Sequence, residues 1–135
     1  MNDRYLYRAK HSLKSKKWHI GNLVEEPDGL YLRDNKNNIM VYIQDPSTIC
    51  QCTGLKDKNG KLILENDIMV AHLDDSFPED TTYARVVWNN NGFCTKEQGS
   101  EDISPLDKFD QEYFEVCGNL FDNPELLEVG ESGIF

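Results

Sequence analysis

Short, β-prone runs separated by turn signals make up most of this chain, and this pattern limits its fold more than any other feature. Strong turn signals include Glu26-Pro27-Asp28-Gly29 and Asn59-Gly60. The runs between them, such as residues 39–43 and 83–88, are rich in β-branched and aromatic side chains. Almost no segment repeats its apolar residues with the period of a helix. The sequence therefore predicts a mainly β chain of about nine short strands, closed as a barrel or packed as a sandwich.

The length predicts one domain with a short extension, because 135 residues is an ordinary single-domain size. We expect a break near Asp45-Pro46, which separates N-terminal strands in residues 1–45 from a barrel core in residues 46–129. Residues 130–135 are expected to form a loose tail.

Two proline positions predict short helical turns. Asn123-Pro124 suits a C-terminal turn, since Asn is a favoured N-cap residue and Pro fits the first helical position. A further turn can begin after Ser104-Pro105, in a polar and otherwise irregular stretch.

The net charge of −10 is unevenly distributed along the chain. Residues 1–20 carry six basic groups and one acidic group, whereas the remainder carries eight basic and twenty-three acidic groups. Such acidity is most often a solubility feature. It also repels a nucleic acid duplex everywhere except near the N-terminal arm, because nucleic acid binding depends on cations placed at phosphates.

The N-terminal arm alternates cations with aromatic residues, and it supplies the candidate interaction residues. Single-stranded nucleic acid binders use this combination, because bases stack on rings while phosphates pair with lysines. Two other interpretations are open: an edge strand protected from aggregation by its lysines, and an arm that docks on an acidic patch of a neighbouring subunit. The candidate residues are Arg4, Tyr5, Tyr7, Arg8, Lys10, Lys14, Lys16, Lys17 and Trp18.

The sequence contains no motif that indicates catalysis or a cofactor. There is no nucleophile elbow, HExxH, phosphate-binding loop or dinucleotide fingerprint. Cys50 and Cys52 point to one face of a strand, but Cys94 and Cys117 stand alone, so the four are expected to be small apolar residues. The acidic cluster in residues 74–80 is expected to be a solvated loop. We therefore expect a non-enzyme with no catalytic, cofactor or metal site.

Two features predict a cytoplasmic protein. No apolar run approaches the ~20 residues that span a bilayer, so no membrane partner is expected. The first residues lack the apolar core of a signal peptide. The cysteines are then expected to be reduced.

Several motifs, in order along the chain, resemble those of the YopX family. Residues 51–61 (QCTGLKDKNGK) are similar to a QYTGLKDKNGK pattern, and residues 62–70 (LILENDIMV) to an xIYEGDIV pattern. Val86-Val87-Trp88 followed by Gly92-Phe93 resembles a VxW…GF hairpin, and residues 116–127 (VCGNLFDNPELL) resemble VIGNIYENPELL. Tyr7-Arg8-Ala9 matches the start more weakly. The likeness is strong over residues 51–129, and residues 10–50 and 97–112 carry little of it.

The resemblance implies an SH3-type β-barrel core with additional strands, a phage or prophage origin and host-cytoplasm location, and no catalytic residues. Asn66 replaces a family glycine, so that turn must tolerate a left-handed Asn, and Cys52 replaces a tyrosine. Trp88 and Phe93 are expected to pair across a short turn. Because each motif residue has a structural reason, the motifs favour a scaffold over an active site.

Three classes of function follow. The leading hypothesis is a non-enzymatic protein-interaction or oligomerising module, with itself as the expected partner and a host or phage protein as another. The second is single-stranded nucleic acid binding through the N-terminal arm. The third is a metal-dependent enzyme using scattered carboxylates or thiols.

Overall fold

The computed structural model describes residues 5–72, 81–89 and 92–127, which are dominated by β-strands and contain one short α-helix. The chain divides into two compact units, residues 1–54 and 55–135. The predicted fold class is confirmed, with two antiparallel sheets, N-terminal strands and a short C-terminal 3-10 turn. The expected break near Asp45-Pro46 stays a prediction.

The first unit is an antiparallel sheet whose strands follow the order β4-β3-β2-β1-β5. A 3-10 turn, Pro46–Thr48, precedes β5, and the Asp45 carboxylate caps it by accepting a hydrogen bond from the Ser47 N–H. The last strand, β5, runs past Gly54 into the second unit. The strands are β1 (Tyr7–Ala9), β2 (His19–Glu26), β3 (Gly29–Asp34), β4 (Met40–Tyr42) and β5 (Cys50–Lys56).

A small apolar core holds this sheet. Ala9, Leu32 and Ile43 are buried, and partly buried residues pack around them. Gly21 permits close approach of β2 and β3, because a Cβ atom there would lie 1.7 Å from the Arg33 carbonyl oxygen. The sheet therefore depends on a glycine in a strand interior, where a close backbone approach explains its presence.

The second unit is built around an antiparallel sheet of order β10-β9-β8-β7-β11. Strand β7, which lies between β8 and β11, is buried on both faces over its first five residues. The main core consists of Ile63, Met69, Ala71, Ala84, Val86 and Phe114. The elements are β6 (Leu62–Leu64), β7 (Asp67–His72), β8 (Thr81–Asn89), β9 (Gly92–Glu97), β10 (Ile103–Pro105), α1 (Lys108–Tyr113), β11 (Glu115–Asn119) and a 3-10 turn (Pro124–Leu127).

The structure departs from the predicted elements between β9 and β11. The stretch expected to be irregular contains β10, and the helical turn begins at Lys108, three residues beyond Pro105. Asp107 starts it through a reciprocal capping box with Asp110, which gives α1 a stronger start signal than the proline. Tyr113 ends α1, and the following strand, β11, begins at Glu115.

Within the described ranges, no helix is long and apolar enough to cross a membrane. The acidic cluster of residues 74–80 and the predicted tail of residues 130–135 both lie outside those ranges.

Candidate interaction surface

Three of the nine candidate residues, Arg8, Lys10 and Trp18, pack against one another in the first unit. The register that pairs Ala9 with His19 brings Lys10 beside Trp18. The Arg8 Cζ and Lys10 Nζ atoms lie 4.9 and 4.8 Å from the centre of the Trp18 ring. Both cations are buried. Arg8 and Lys10 therefore form cation–π contacts with Trp18 inside the fold. Each contact contributes on the order of 1 kcal/mol to the stability of the fold.

The two N-terminal tyrosines differ in environment. Tyr7 is half-buried and packs against the core of the first unit, whereas Tyr5 is 74% exposed. Arg4 lies outside the described residues. Of the two rings, Tyr5 is the one that solvent, or a partner, can reach.

The remaining candidates lie on the basic loop, residues 11–17, which connects β1 to β2. His11 anchors its start, because its carbonyl accepts a 2.8 Å hydrogen bond from the Gln44 N–H and its Nδ1 lies 2.7 Å from the Tyr42 carbonyl oxygen. Within the loop, the Ser15 N–H donates to the Ser12 carbonyl. The loop is thus a fixed turn whose exposed cations are Lys14, Lys16 and Lys17.

A half-open pocket of about 370 Å³ lies at the base of the basic loop. Its lining residues are Ser12, Leu13, Lys14, Gln44 and Asp45. The volume is near the lower end of small-ligand pockets. Leu13 is 54% exposed, so the loop offers an apolar side chain beside its cations.

A second surface lies on the acidic segment, residues 101–113, which includes β10 and α1. Phe109 and Tyr113 are one helical turn apart and both about half exposed, with ring centres 4.7 Å apart. Ile103 on β10 is also exposed. The segment has five carboxylates and one lysine. The sequence prediction missed this surface, although aromatic residues at i and i+4 after Asp107 were a readable signal.

One carboxyl group of the acidic segment is unusual. Asp110 is buried, and its Oδ2 accepts a hydrogen bond from the Asp107 N–H at 3.0 Å. Burial, together with the nearby Asp107 and Glu97 carboxylates, raises the pKa of Asp110 to about 6. Burial and the neighbouring carboxylates therefore disfavour the charged form of Asp110.

The motif residues hold turns and strand ends in the second unit. The buried Asp57 carboxylate accepts hydrogen bonds from the backbone N–H groups of Asn59, Lys61 and Val116 at 2.8–2.9 Å. It thereby joins the β5–β6 turn to β11. Gly60 in that turn has a φ of 83°, a left-handed conformation that favours glycine.

A second motif turn follows β11. The Asn119 Oδ1 accepts hydrogen bonds from the N–H groups of Phe121 and Asp122, and the Asn123 Oδ1 accepts one from the Asn119 N–H. Asn123 thus closes this turn with its side chain, and its backbone carbonyl accepts a hydrogen bond from the Leu126 N–H of the following 3-10 turn. The N-cap role of Asn123 stays a prediction. Gly118 leaves room for it, since a Cβ atom there would lie 2.5 Å from that oxygen.

Other motif predictions agree with the structure. Asn66 has a φ of 69°, the left-handed conformation expected where the family has glycine. Trp88 faces Phe93 across the β8–β9 pair, with ring centres 4.9 Å apart. These residues, too, have structural explanations.

In residues 5–72, 81–89 and 92–127, the cysteines and the other metal-binding side chains do not converge. Cys50 and Cys52 are buried, Cys94 is half-buried, and Cys117 is exposed when its backbone and side chain are taken together. None of the four is in a disulfide. Burial of its thiol raises the pKa of Cys117. In the part of the chain that the structure describes, no group of three or more His, Cys, Asp or Glu could hold a metal ion.

The family model described as "YopX protein" matches residues 6–128. The chain belongs to the YopX family. The match extends well beyond residues 51–129, where the sequence motifs are strongest, and includes the basic loop and the acidic segment.

A solved structure, the crystal structure of protein EF1440 from Enterococcus faecalis, is similar to this chain with a TM-score of 0.52. The two share 22% sequence identity, and the similarity covers 90% of this chain and 96% of the other. At this identity the likeness concerns the fold alone. No curated protein matches the chain.

Proposed function

We propose that this YopX family protein is a non-enzymatic interaction module of phage or prophage origin that associates with itself in the cytoplasm of a bacterial host. The observation that carries the proposal is the pair of edge strands, β4 and β10, which end their sheets and have mostly exposed side chains. Met40, Tyr42 and Ile103 are apolar or aromatic residues on these edges. Exposed edges of this kind favour pairing with another chain.

The roles of the motif residues support the same proposal. Asp57, Asn119 and Asn123 hold backbone turns with their polar atoms, so these motif residues have structural roles. Both the basic loop and the acidic segment present exposed apolar and charged side chains. A protein whose accessible chemistry is charge and apolar surface is suited to binding rather than to catalysis.

Sedimentation velocity of the full chain, from low micromolar to near-millimolar concentration at low salt, tests the proposal. We expect species larger than a monomer that increase with concentration, since weak association follows mass action. A single monomeric species over the whole range would contradict self-association.

Single-stranded nucleic acid is the second candidate partner, favoured by three exposed lysines and the exposed Tyr5 in the N-terminal segment. The engagement of Trp18 by Arg8 and Lys10 removes one ring from stacking and two cations from phosphate contact. Fluorescence anisotropy with a labelled oligonucleotide measures this binding. Binding that falls steeply with salt and is lost in K14E/K16E/K17E would support it, and no binding at low salt would exclude it.

A further inference from the structure

The basic loop and the acidic segment have complementary charge. Residues 11–17 carry three lysines and no carboxylate, whereas residues 101–113 carry five carboxylates and one lysine. The three lysines are exposed, as are Glu101, Asp102 and Glu112. Because these six side chains are already exposed, the two surfaces can meet without first exposing a buried charge.

Each of the two surfaces also presents apolar groups beside its charges. The acidic segment presents two adjacent, half-exposed rings, Phe109 and Tyr113, whose centres lie 4.7 Å apart. The basic loop flanks a half-open pocket of about 370 Å³ beside Leu13. An aromatic side chain buries roughly 150–250 Å² when it is covered, so two rings can form the apolar centre of a small interface.

We propose that the basic loop of one copy docks on the acidic segment of a second copy, with Phe109 and Tyr113 entering the pocket beside Leu13. This inference rests on the proposed self-association and names its contact. A second copy is the occupant that matches both surfaces, because it supplies an acidic partner for the loop and a basic partner for the segment. A nucleic acid would match the loop alone.

The contact joins two different patches, so the association is head to tail. Such a contact leaves one loop and one segment unused in every dimer, and it builds rings where the rotation closes or open chains where it does not. Because the patches are small and charged, we expect an association that weakens as salt rises.

A charge-swap experiment tests the contact. The loop variant K14E/K16E/K17E and the segment variant E101K/D102K/E112K each place like charges in the contact. We expect each alone to self-associate at least about tenfold more weakly than the wild type, by sedimentation velocity at low salt. An equimolar mixture should associate again, because each reversed surface then meets one of opposite charge.

Two controls separate this result from general effects. K56E/K58E/K61E makes the same charge change at three exposed lysines of the second unit, outside both surfaces, and should associate like the wild type. F109A/Y113A should weaken association at low and high salt alike, because it removes apolar contact area. Circular dichroism of each variant checks that the fold is retained.

The outcomes distinguish this inference from the proposed function. Wild-type association that either charge variant retains in full would overturn the contact and leave self-association standing. Loss in both variants without recovery in the mixture would also overturn it, since that result fits a contact within one chain. A monomeric wild type would instead refute the proposed function itself.

Discussion

The two units of this protein treat charge in opposite ways. The first unit, residues 1–54, has eight basic and six acidic residues, a net charge of +2, and the second has six basic and eighteen acidic residues, a net charge of −12. In the first unit, buried charges have specific compensating groups: Arg8 and Lys10 lie against Trp18, and His19 Nδ1 lies 2.8 Å from Asp34 Oδ2.

A buried aspartate in each unit shows the difference. Hydrogen bonds from His19 and from the Lys36 backbone N–H hold the pKa of Asp34 below its ordinary value. Burial and neighbouring carboxylates raise the pKa of Asp110 to about 6. The second unit has a net charge of −12, and a surface this negative gains most from a cationic partner.

The largest effect on stability is expected at Asp57 in the second unit, because its carboxylate accepts hydrogen bonds from three backbone N–H groups. D57A leaves three N–H donors without their acceptor, so we expect a loss of about 3 kcal/mol in the free energy of unfolding. Urea unfolding measures it. The exposed Asp102 provides the matched control, and D102A should change stability by less than about 0.5 kcal/mol. Equal losses of unfolding free energy in D57A and D102A would contradict this structural role of Asp57.

At Asp110 the effect of pH should have the opposite sign to that of an ordinary acidic group. Because its folded pKa is raised, its stabilising effect is fully present below about pH 4 and is lost as pH rises through about 6. Because solvent screens part of this charge, the difference is on the order of 1–2 kcal/mol. Relative to D110N, the wild type should therefore lose stability between pH 4 and 7, as measured by urea unfolding at each pH. Parallel pH profiles of stability in the two proteins would contradict the raised pKa of Asp110.

Asp34 should show the reverse dependence with a smaller amplitude. Its lowered pKa gives stability that is present above about pH 4 and is lost as pH falls through the folded pKa. D34N weakens two hydrogen bonds, so we expect a loss of about 1 kcal/mol at neutral pH that shrinks in acid. Thermal unfolding of both proteins across the acidic range tests this sign, and an effect that grows in acid would refute it.

The smallest stability effect is expected for K14E/K16E/K17E. These lysines are exposed on a loop whose turn is held by backbone and serine groups, so the free energy of unfolding should change by less than about 0.5 kcal/mol. Urea unfolding at high salt measures it. A loss of several kcal/mol would assign the lysines to the fold rather than to an interface.

Local patterns predicted much of the scaffold. Turn residues and β-branched runs indicated the hairpins, and the left-handed Asn66 and the Trp88–Phe93 pair followed from a family glycine and a short turn. These features depend on residues that are close together in the sequence, so a short stretch of sequence is enough to predict them.

The candidate site was harder to predict. The burial of Arg8 and Lys10 on Trp18 depends on the register of β1 with β2, which brings together residues eight or more positions apart. The start of α1 depends on a capping box between two aspartates, a weaker sequence signal than the usual Ser or Thr with Glu. A list of charged residues cannot separate cations used inside the fold from those left on its surface.

The most direct test is the strength of wild-type self-association at about 0.1 M and about 1 M salt, where the screening length falls from roughly 10 to roughly 3 Å. If oppositely charged surfaces join the copies, sedimentation equilibrium should show association at the lower salt and at least about tenfold weaker association at the higher. Association that is unchanged or stronger at the higher salt would contradict the account.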